Sequence, residues 1–401
     1  MNKRTLKVAG VAIVAASLAF AGCGARTEAS SGASGGAKVA KIGVIAPLSG
    51  DLSALGLGIK NSVDLAIKQA NASNAIPGWT LELAAEDDQA SPDVGKNAAT
   101  KLSSDDQVIG VVGTLNSSVA QSVMPVLAAA NIVQVSPANT NPSLTKGADL
   151  ANPKRPYATY FRTCTTDAVQ GPFAAQYLLG VGIKKVATIH DKKTYGQGLV
   201  DNFTVAFKAG GGTIVDAETI NPDDKDFSAV ISKVKTAAPE AIYYGGEYPQ
   251  AGPLSKQAKA AGLDVPLMGG DGIFDGNFIK LGGSDGDLAT SVGAPVDTLA
   301  SAKAFVEAYK AAGYAEPYAA YGAYSYDAAQ AIINGLKTSL AGASDVKSAR
   351  QATVDAVGKV SFDGATGKVG FDEFGDSVSR VLTVYKVDGG EWKAEKTGEL
   401  K

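Results

Sequence analysis

Residues 108–137 read VIGVVGTLNSSVAQSVMPVLAAANIVQVSP. VIGVVG is an unbroken apolar run of strand length, SVAQSVMPVLAAA has the length and composition of a helix, and IVQVSP is a second β-branched run. Strand, helix and strand in succession form a βαβ unit, whose strands lie parallel with the helix packed over one face. The same alternation extends outward in both directions. Upstream, VAKIGVIAPLSG (39–50) predicts a strand that runs into a turn. Leu55, Ile59, Val63 and Ile67 then form one apolar helical stripe. WTLELAAEDD predicts a strand with a charged end, and VGKNAATKL a helix. Downstream of Phe161 the pattern restarts. KKVATIHD, GGTIVDAETI, EAIYYGG, VPLMGG and DLATSVGAP predict strands, with helices at LVDNFTVAFKAG, FSAVISKVKTAA and LSKQAKAAG between them. Two longer helical stretches follow, SAKAFVEAYKAAG and YGAYSYDAAQAIINGLKTSLAG. RVLTVYKV-DGG-EWKAEK alternates with period two around a turn and predicts a hairpin. The pattern therefore predicts an α/β protein with two lobes of similar make-up.

Length and composition agree. The chain has 401 residues, 45% hydrophobic and 19% charged, which suits a globular protein with a substantial core. Single cores rarely grow beyond roughly 250–300 residues, so two domains are expected. A net charge of -3 supplies no basic face for nucleic acid. The N-terminus reads as an export signal over 1–22: a positive MNKRTLK, then the short apolar stretch VAGVAIVAASLAF. Phe20-Ala21-Gly22-Cys23 resembles the lipobox of bacterial lipoproteins, which implies a lipidated Cys23. GARTEASSGASGGAK (24–38) completes a flexible tether spanning 23–38. With Cys23 carrying lipid, Cys164 is left unpaired and is expected to pack as a small buried residue.

Ligands of open α/β sheets bind beyond the carboxyl ends of the strands. Gly113-Thr114-Leu115-Asn116-Ser117-Ser118 leaves such an end and opens a helix. Ser117 or Ser118 could cap that helix, or offer a hydroxyl and amides to an anion. Ser136-Pro137-Ala138-Asn139-Thr140-Asn141-Pro142 leaves the next strand, and Ala138, Asn139 and Thr140 present carbonyls, a hydroxyl and an amide. Asp167, Glu247 and Asp271 fall near other strand ends as solvated carboxylates or partners for an ammonium. Enzyme chemistry has no clear carrier. Gly56-Leu57-Gly58-Ile59-Lys60-Asn61 lacks the third glycine and the tight turn of a dinucleotide fingerprint. His190 is the sole histidine, without a cysteine–histidine cluster for zinc or a G-x-S-x-G elbow. No cofactor is expected.

Together these segments resemble the leucine/isoleucine/valine-binding proteins of bacterial ABC importers, from about Lys41 to Leu340 and more weakly to the end. The matching motifs are IGVIAPLSG (42–50), EDD (86–88), SPANTNP (136–142), FRT…QGP (161–172), HDKKTYGQGL (190–199), KDFSAVI (225–231), YYGG (243–246), and AKAAGL before MGGDG (268–272). The resemblance implies a type I periplasmic-binding-protein fold: two Rossmann-like lobes joined by three crossovers, a hinged Venus flytrap that closes on its ligand. Crossovers are expected near Thr163, near Val292 and around 362–372. Lobe 1 is then 39–163 plus 292–362, and lobe 2 is 164–291 plus 363–401.

It also implies a ligand site. Ser117 and Thr140 are expected at the ligand's α-carboxylate, with the Ala138 carbonyl at the α-ammonium. Tyr195 closes over the ligand, and Asp271 stands where the family has a glutamate facing the ammonium. Leu55 and Tyr321 fall at the side-chain pocket. Glu247 stands where an aromatic residue is usual, and three readings stay open: a pair with Arg162, a place at the rim, or selection of a ligand with a polar or cationic side group. The family's nearby disulfide is absent, since Ala90 and Asn116 occupy those positions. The expected function is a membrane-tethered, extracytoplasmic, monomeric binding lipoprotein. It would pass a free amino acid, branched-chain or related, to the permease and ATPase of an importer. Alternatives are a ligand sensor, a binder of urea, amides or γ-aminobutyrate-like solutes, and a nucleotide-dependent enzyme.

Overall fold

Loops at the carboxyl ends of two mainly parallel sheets meet in the computed structural model, which describes residues 37–400. The export signal, Cys23 and all but the end of the tether lie outside the described residues. The first sheet is built by β1 (Lys38–Ala46), α1 (Ser53–Ala72), β2 (Trp79–Asp87), α2 (Pro92–Ser104), β3 (Val108–Gly113), α3 (Ser117–Ala129), β4 (Val133–Ser136), α4 (Ser143–Lys146) and β5 (Tyr160–Arg162). Its order is β2-β1-β3-β4-β5, all parallel. Strands β3 and β4 are buried at every residue, as expected where helices cover both faces. β1 opens at Lys38, the last residue of the expected tether; its amide bonds the Gly78 carbonyl and its ammonium lies over the Trp79 ring.

The chain then crosses to the second sheet through α5 (Asp167–Gly180). That sheet continues with β6 (Lys185–His190), α6 (Thr194–Ala209), β7 (Thr213–Thr219), α7 (Ser228–Thr236), β8 (Ala241–Gly245), α8 (Tyr248–Ala260), β9 (Leu267–Gly269), α9 (Gly276–Leu281) and β10 (Leu288–Ser291). A second crossing leads to α10 (Lys303–Ala312), α11 (Gly322–Ser339) and α12 (Val346–Val357). Here α11 packs on α1, and α12 on β3. The third crossing carries a small hairpin, β11 (Ser361–Gly364) and β12 (Gly367–Gly370). The return strands β13 (Val381–Asp388) and β14 (Glu391–Glu399) close the sheet. Its order is β14-β13-β10-β9-β8-β6-β7, with β13 and β14 antiparallel. Both sheets belong to one compact unit.

The glycines of GLGIKN are packing residues inside α1. A side chain at Gly56 would stand 1.9 Å from the Pro47 carbonyl oxygen. The segment therefore seats the helix against the β1 turn, and it forms no phosphate loop. Cys164 is fully buried.

One charge organises the crossings. Arg162 is fully buried at the end of β5. Its Nε donates to Asp376 Oδ1 at 2.7 Å, Nη1 to the carbonyls of Asn139 (2.6 Å) and Asn141 (3.0 Å), and Nη2 to Thr145 Oγ1 at 2.6 Å. Lys146 Nζ lies 3.3 Å from the other Asp376 oxygen. Burial would raise the Asp376 carboxyl, yet the Arg162 charge, Thr145 and Lys146 hold it below its ordinary 3.8. Removing one partner of a buried pair strands the other charge, so Arg162→Ala is expected to lower the unfolding free energy by about 3–5 kcal/mol, read from urea unfolding at pH 7. Because the folded carboxyl is depressed, the pair's contribution is complete above 3.8 and is lost as pH falls through the lower folded value. The variant should therefore show a shallower acid limb than the wild type, and equal limbs would argue against the ion pair.

Candidate functional site

The first-lobe loops leave β3 and β4 side by side, since Val112 pairs with Val135. Asn116 occupies the cap position of α3 without a side-chain cap bond. Neither serine caps the helix: Ser117 Oγ is buried without a partner among the described residues. In the next loop, Ser136 Oγ accepts from the amides of Ala138 (3.2 Å) and Asn139 (2.9 Å) and donates to the Thr114 carbonyl. Asn139 Nδ2 donates to the Leu115 carbonyl at 2.8 Å, and its Oδ1 accepts from Tyr160 at 3.0 Å. The Asn139 side chain thus braces one loop against the other. The Thr140 carbonyl accepts from the Asp167 amide at 2.8 Å, while Thr140 Oγ1 is buried and unpartnered.

Facing these loops is a cluster of carboxylates. Asp271 sits in a short 3-10 turn just after β9. Its Oδ1 accepts from Gln170 (3.0 Å) and Tyr195 (2.8 Å), and its Oδ2 from Tyr321 (2.7 Å). Burial raises its pKa, and those three donors offset part of the rise. Tyr195 reaches Asp271 because Gly196 and Gly245 pack backbone to backbone. A side chain on Gly196 would stand 2.4 Å from the Gly245 carbonyl. Gln170 was not singled out in the sequence; it lies one turn after Asp167 on α5. Asp167 itself opens α5 instead of ending a strand. It is fully buried, and neither carboxylate oxygen has a hydrogen-bond partner among the described residues. Burial pushes this carboxyl up to about 8, and the Asp271 charge adds to the rise; the Thr140 hydroxyl, close to the carboxyl but outside hydrogen-bond geometry, and the Arg162 charge oppose it.

Glu247 is 4% exposed and is not paired with Arg162, whose valences go to Asp376 and the 139–145 loop. Its Oε1 accepts from Asn116 Nδ2 at 2.8 Å and its Oε2 from Lys193 Nζ at 3.0 Å. Burial and the Glu247 charge push the neighbouring Asp191 carboxyl up to about 8. Lys193 carried no signal in the sequence beyond its place beside Tyr195.

Leu55, Leu115, Asn116, Ala138, Tyr195, Glu247, Asp271, Gly272 and Tyr321 enclose one small cavity of about 20 Å³, room for about one water. Ser117, Thr140 and Asp167 are not part of that lining, although each adjoins it in sequence or through the 138–140 loop. Polar contacts join the two sides across it: Tyr321 to Asp271, Asn116 to Glu247, and Asn141 Nδ2 to the Thr194 carbonyl at 2.8 Å. A larger cavity of about 500 Å³, walled by Phe274, Tyr318, Tyr385 and Trp392, includes none of the candidate residues. None of its lining side chains holds a buried unpartnered polar atom. Polar demand, not size, selects the smaller cavity. Among the described residues no group of His, Cys, Asp or Glu could hold a metal ion.

Over residues 39–391 the sequence matches the family described as periplasmic binding protein. It is 34% identical over 358 residues to the Leu/Ile/Val-binding protein homolog 3 of Brucella melitensis biotype 1, covering 87% of this chain and 92% of that protein. It is 31% identical over 360 residues to the leucine-, isoleucine-, valine-, threonine-, and alanine-binding protein of Pseudomonas aeruginosa, covering 89% and 91%. Among solved structures, the branched-chain amino acid transporter substrate binding protein LivJ of Streptococcus pneumoniae, in complex with isoleucine, matches with a TM-score of 0.79. That match is 28% identical and covers 90% of this chain and 99% of that one.

The bracing function of Asn139 is open to a direct test. Asn139→Ala leaves the Leu115 carbonyl and the Tyr160 hydroxyl unpaired in buried positions, at a cost of about 1–3 kcal/mol for each group. The urea midpoint should fall accordingly; an unchanged midpoint would mean the two loops hold their shape without this side chain.

Proposed function

This chain belongs to the periplasmic binding protein family, and we propose that it captures a free amino acid outside the cytoplasm and delivers it to an ABC importer. The observation that carries this reading is the set of unpartnered polar atoms around the cleft. Ser117 Oγ and Thr140 Oγ1 are hydroxyls without partners, and Asp167 and Asp271 are buried carboxyls. Two hydroxyl donors suit a carboxylate, and two acids suit an ammonium. A zwitterion presents both groups on one carbon. Each buried polar atom left unpaired costs about 1–3 kcal/mol, which a bound α-amino acid would relieve.

In this reading lobe 1 spans 39–163 plus 292–362 and lobe 2 spans 164–291 plus 363–401. Ser117, Ala138 and Thr140 receive the ligand first, on lobe 1. Closure brings Tyr195 and Asp271 from lobe 2 towards the loop to which Asp167 is already bonded, excludes water and strengthens each polar contact. Leu55 and Tyr321 wall the cavity beside the ligand. An N-terminal lipid on Cys23 would hold the protein at the membrane, and the closed form would be recognised by a permease driven by an ATPase. The relatives named for leucine, isoleucine and valine support the amino-acid class. No helix among the described residues is long and apolar enough to cross a membrane.

Calorimetry with the common amino acids tests this. Asp271→Ala should weaken binding by more than tenfold, since hydrogen bonds to charged groups contribute about 1.5–3 kcal/mol; unchanged affinity would remove Asp271 from the ammonium site. The pH dependence gives an independent check. With its folded pKa near 8, Asp167 holds a proton at pH 6–7 that an arriving ammonium must displace. Affinity should therefore rise with pH towards 8, by up to about tenfold per unit, and binding should release a proton, seen as a buffer-dependent enthalpy. The same shift makes the ligand-free protein lose stability as pH rises from the ordinary 3.8 through 8. Affinity constant between pH 6 and 8 would place the ammonium away from Asp167.

A further inference from the structure

We infer that the preferred ligand is an amino acid whose side chain ends in N–H donors, read by Glu247 and Asn116, and not a branched aliphatic one. The inference rests on the amino-acid reading of the site and names the class within it. On the wall of the same cavity, the first-lobe loop and the residue before α8 meet through the Asn116–Glu247 hydrogen bond. Glu247 only accepts when ionised, so the Asn116 amide must turn its nitrogen towards it. Its oxygen is thereby left over, and Asn116 Oδ1 is buried with no partner among the described residues. The carboxylate has about four acceptor positions; Asn116 Nδ2 and Lys193 Nζ take two, and the neighbouring Asp191 carboxyl, whose proton is held up to about 8, is placed to donate to a third. Acceptors are therefore in excess on this wall, and a ligand group placed there must donate.

A leucine or valine side chain cannot. It would shield Asn116 Oδ1 and the spare Glu247 acceptor position from water while offering them nothing, a penalty that lowers affinity by about tenfold or more for each buried group. Leu55 and Leu115 line the same cavity and provide an apolar wall for the methylenes of a straight side chain, with the donor head beyond. Glu247 also lines an outer recess of about 440 Å³, shared with Ser49, Gln89, Lys193, Asp223 and Gln250. A longer polar side chain therefore has a polar space to enter, in which an aliphatic one gains little.

The test is a competition panel on the full mature chain, freed of co-purified ligand, using glutamine, asparagine, ornithine, lysine, leucine, isoleucine and valine. At least one amide or cationic side chain should bind ten times or more tighter than leucine. Glu247→Leu should reverse the order, weakening the N–H ligand at least tenfold and tightening leucine. Since that change also strands Lys193, Glu247→Gln serves as the second variant; it keeps the side-chain shape and should weaken the N–H ligand without favouring leucine. Leucine, isoleucine or valine binding the wild type most tightly would overturn the inference while leaving the amino-acid reading intact. Binding of none of the seven, with thermal unfolding showing a folded protein, would overturn both.

Discussion

A guanidinium with no access to water must find all its partners inside the protein, and Arg162 finds them in segments that the ligand site depends on. Its two carbonyl contacts, Asn139 and Asn141, are alternate residues of one loop. The Thr140 carbonyl between them is left to take the Asp167 amide. The loop is thus held in one shape from beneath, and α5 is tied to it at its first residue. The counter-ion, Asp376, comes from the last crossing, while Arg162 stands at the first. One ion pair therefore holds two of the three connections between the lobes. A buried pair of this kind is weak evidence for stability in itself; here its consequence is position, because a misplaced Asn139 or Thr140 would spoil the cleft.

The same loop meets the opposite lobe through bonds that a ligand has to contend with. Asp271 already accepts from Tyr195 and Tyr321, on opposite sides of the cleft. The enclosed space of about 20 Å³ is far smaller than an amino acid, so entry requires the lobes to part and those bonds to break or lengthen. A ligand shifts the balance between open and closed forms only by its difference in affinity for the two. An ammonium that replaces a tyrosine hydroxyl at Asp271 exchanges a neutral donor for a charged one, and charge-assisted bonds are roughly twice as strong. The protein's own bonds thus set a threshold for entry, and a charged donor at Asp271 is better placed to pass it than a neutral one.

Much of this was legible in the chain, for identifiable reasons. VIGVVG, IVQVSP and EAIYYGG became β3, β4 and β8 because runs buried on both faces are apolar throughout. The DGG hairpin became β13 and β14 because its turn chemistry is local. Helix α5 was not read, because Gly171 and Pro172 interrupt its pattern. Helix α12 was missed because VKSARQATVDAV is half polar and its buried face includes Arg350 and Thr353, which blurs the apolar stripe. Side-chain partnerships across the fold were beyond reach: Arg162 and Asp376 are 214 residues apart, and Lys193 and Glu247 are 54 apart. SPANTNP stood out as a loop, but the bonds that hold it, from Arg162 and through Asn139, could not be read from the sequence. A small polar side chain in such a loop serves either the ligand or the loop, and Asn139 serves the loop because Tyr160 and Leu115 stand within reach of both ends of its amide.

The atoms left without partners carry the strongest argument about this cleft. Buried polar atoms are usually satisfied, and a loop as densely bonded as 136–145 shows that satisfaction was available nearby. Ser136, Asn139 and Asn141 each find partners, whereas Ser117 Oγ, Thr140 Oγ1 and the Asp167 carboxyl find none among the described residues. Selection for stability alone would have removed these groups, since small apolar replacements at each position would relieve the penalty. Their presence beside a bonded scaffold marks a surface shaped for a partner that supplies the missing donors and charges. That partner gains in affinity what the free protein forgoes in stability, which is the exchange expected at a binding site.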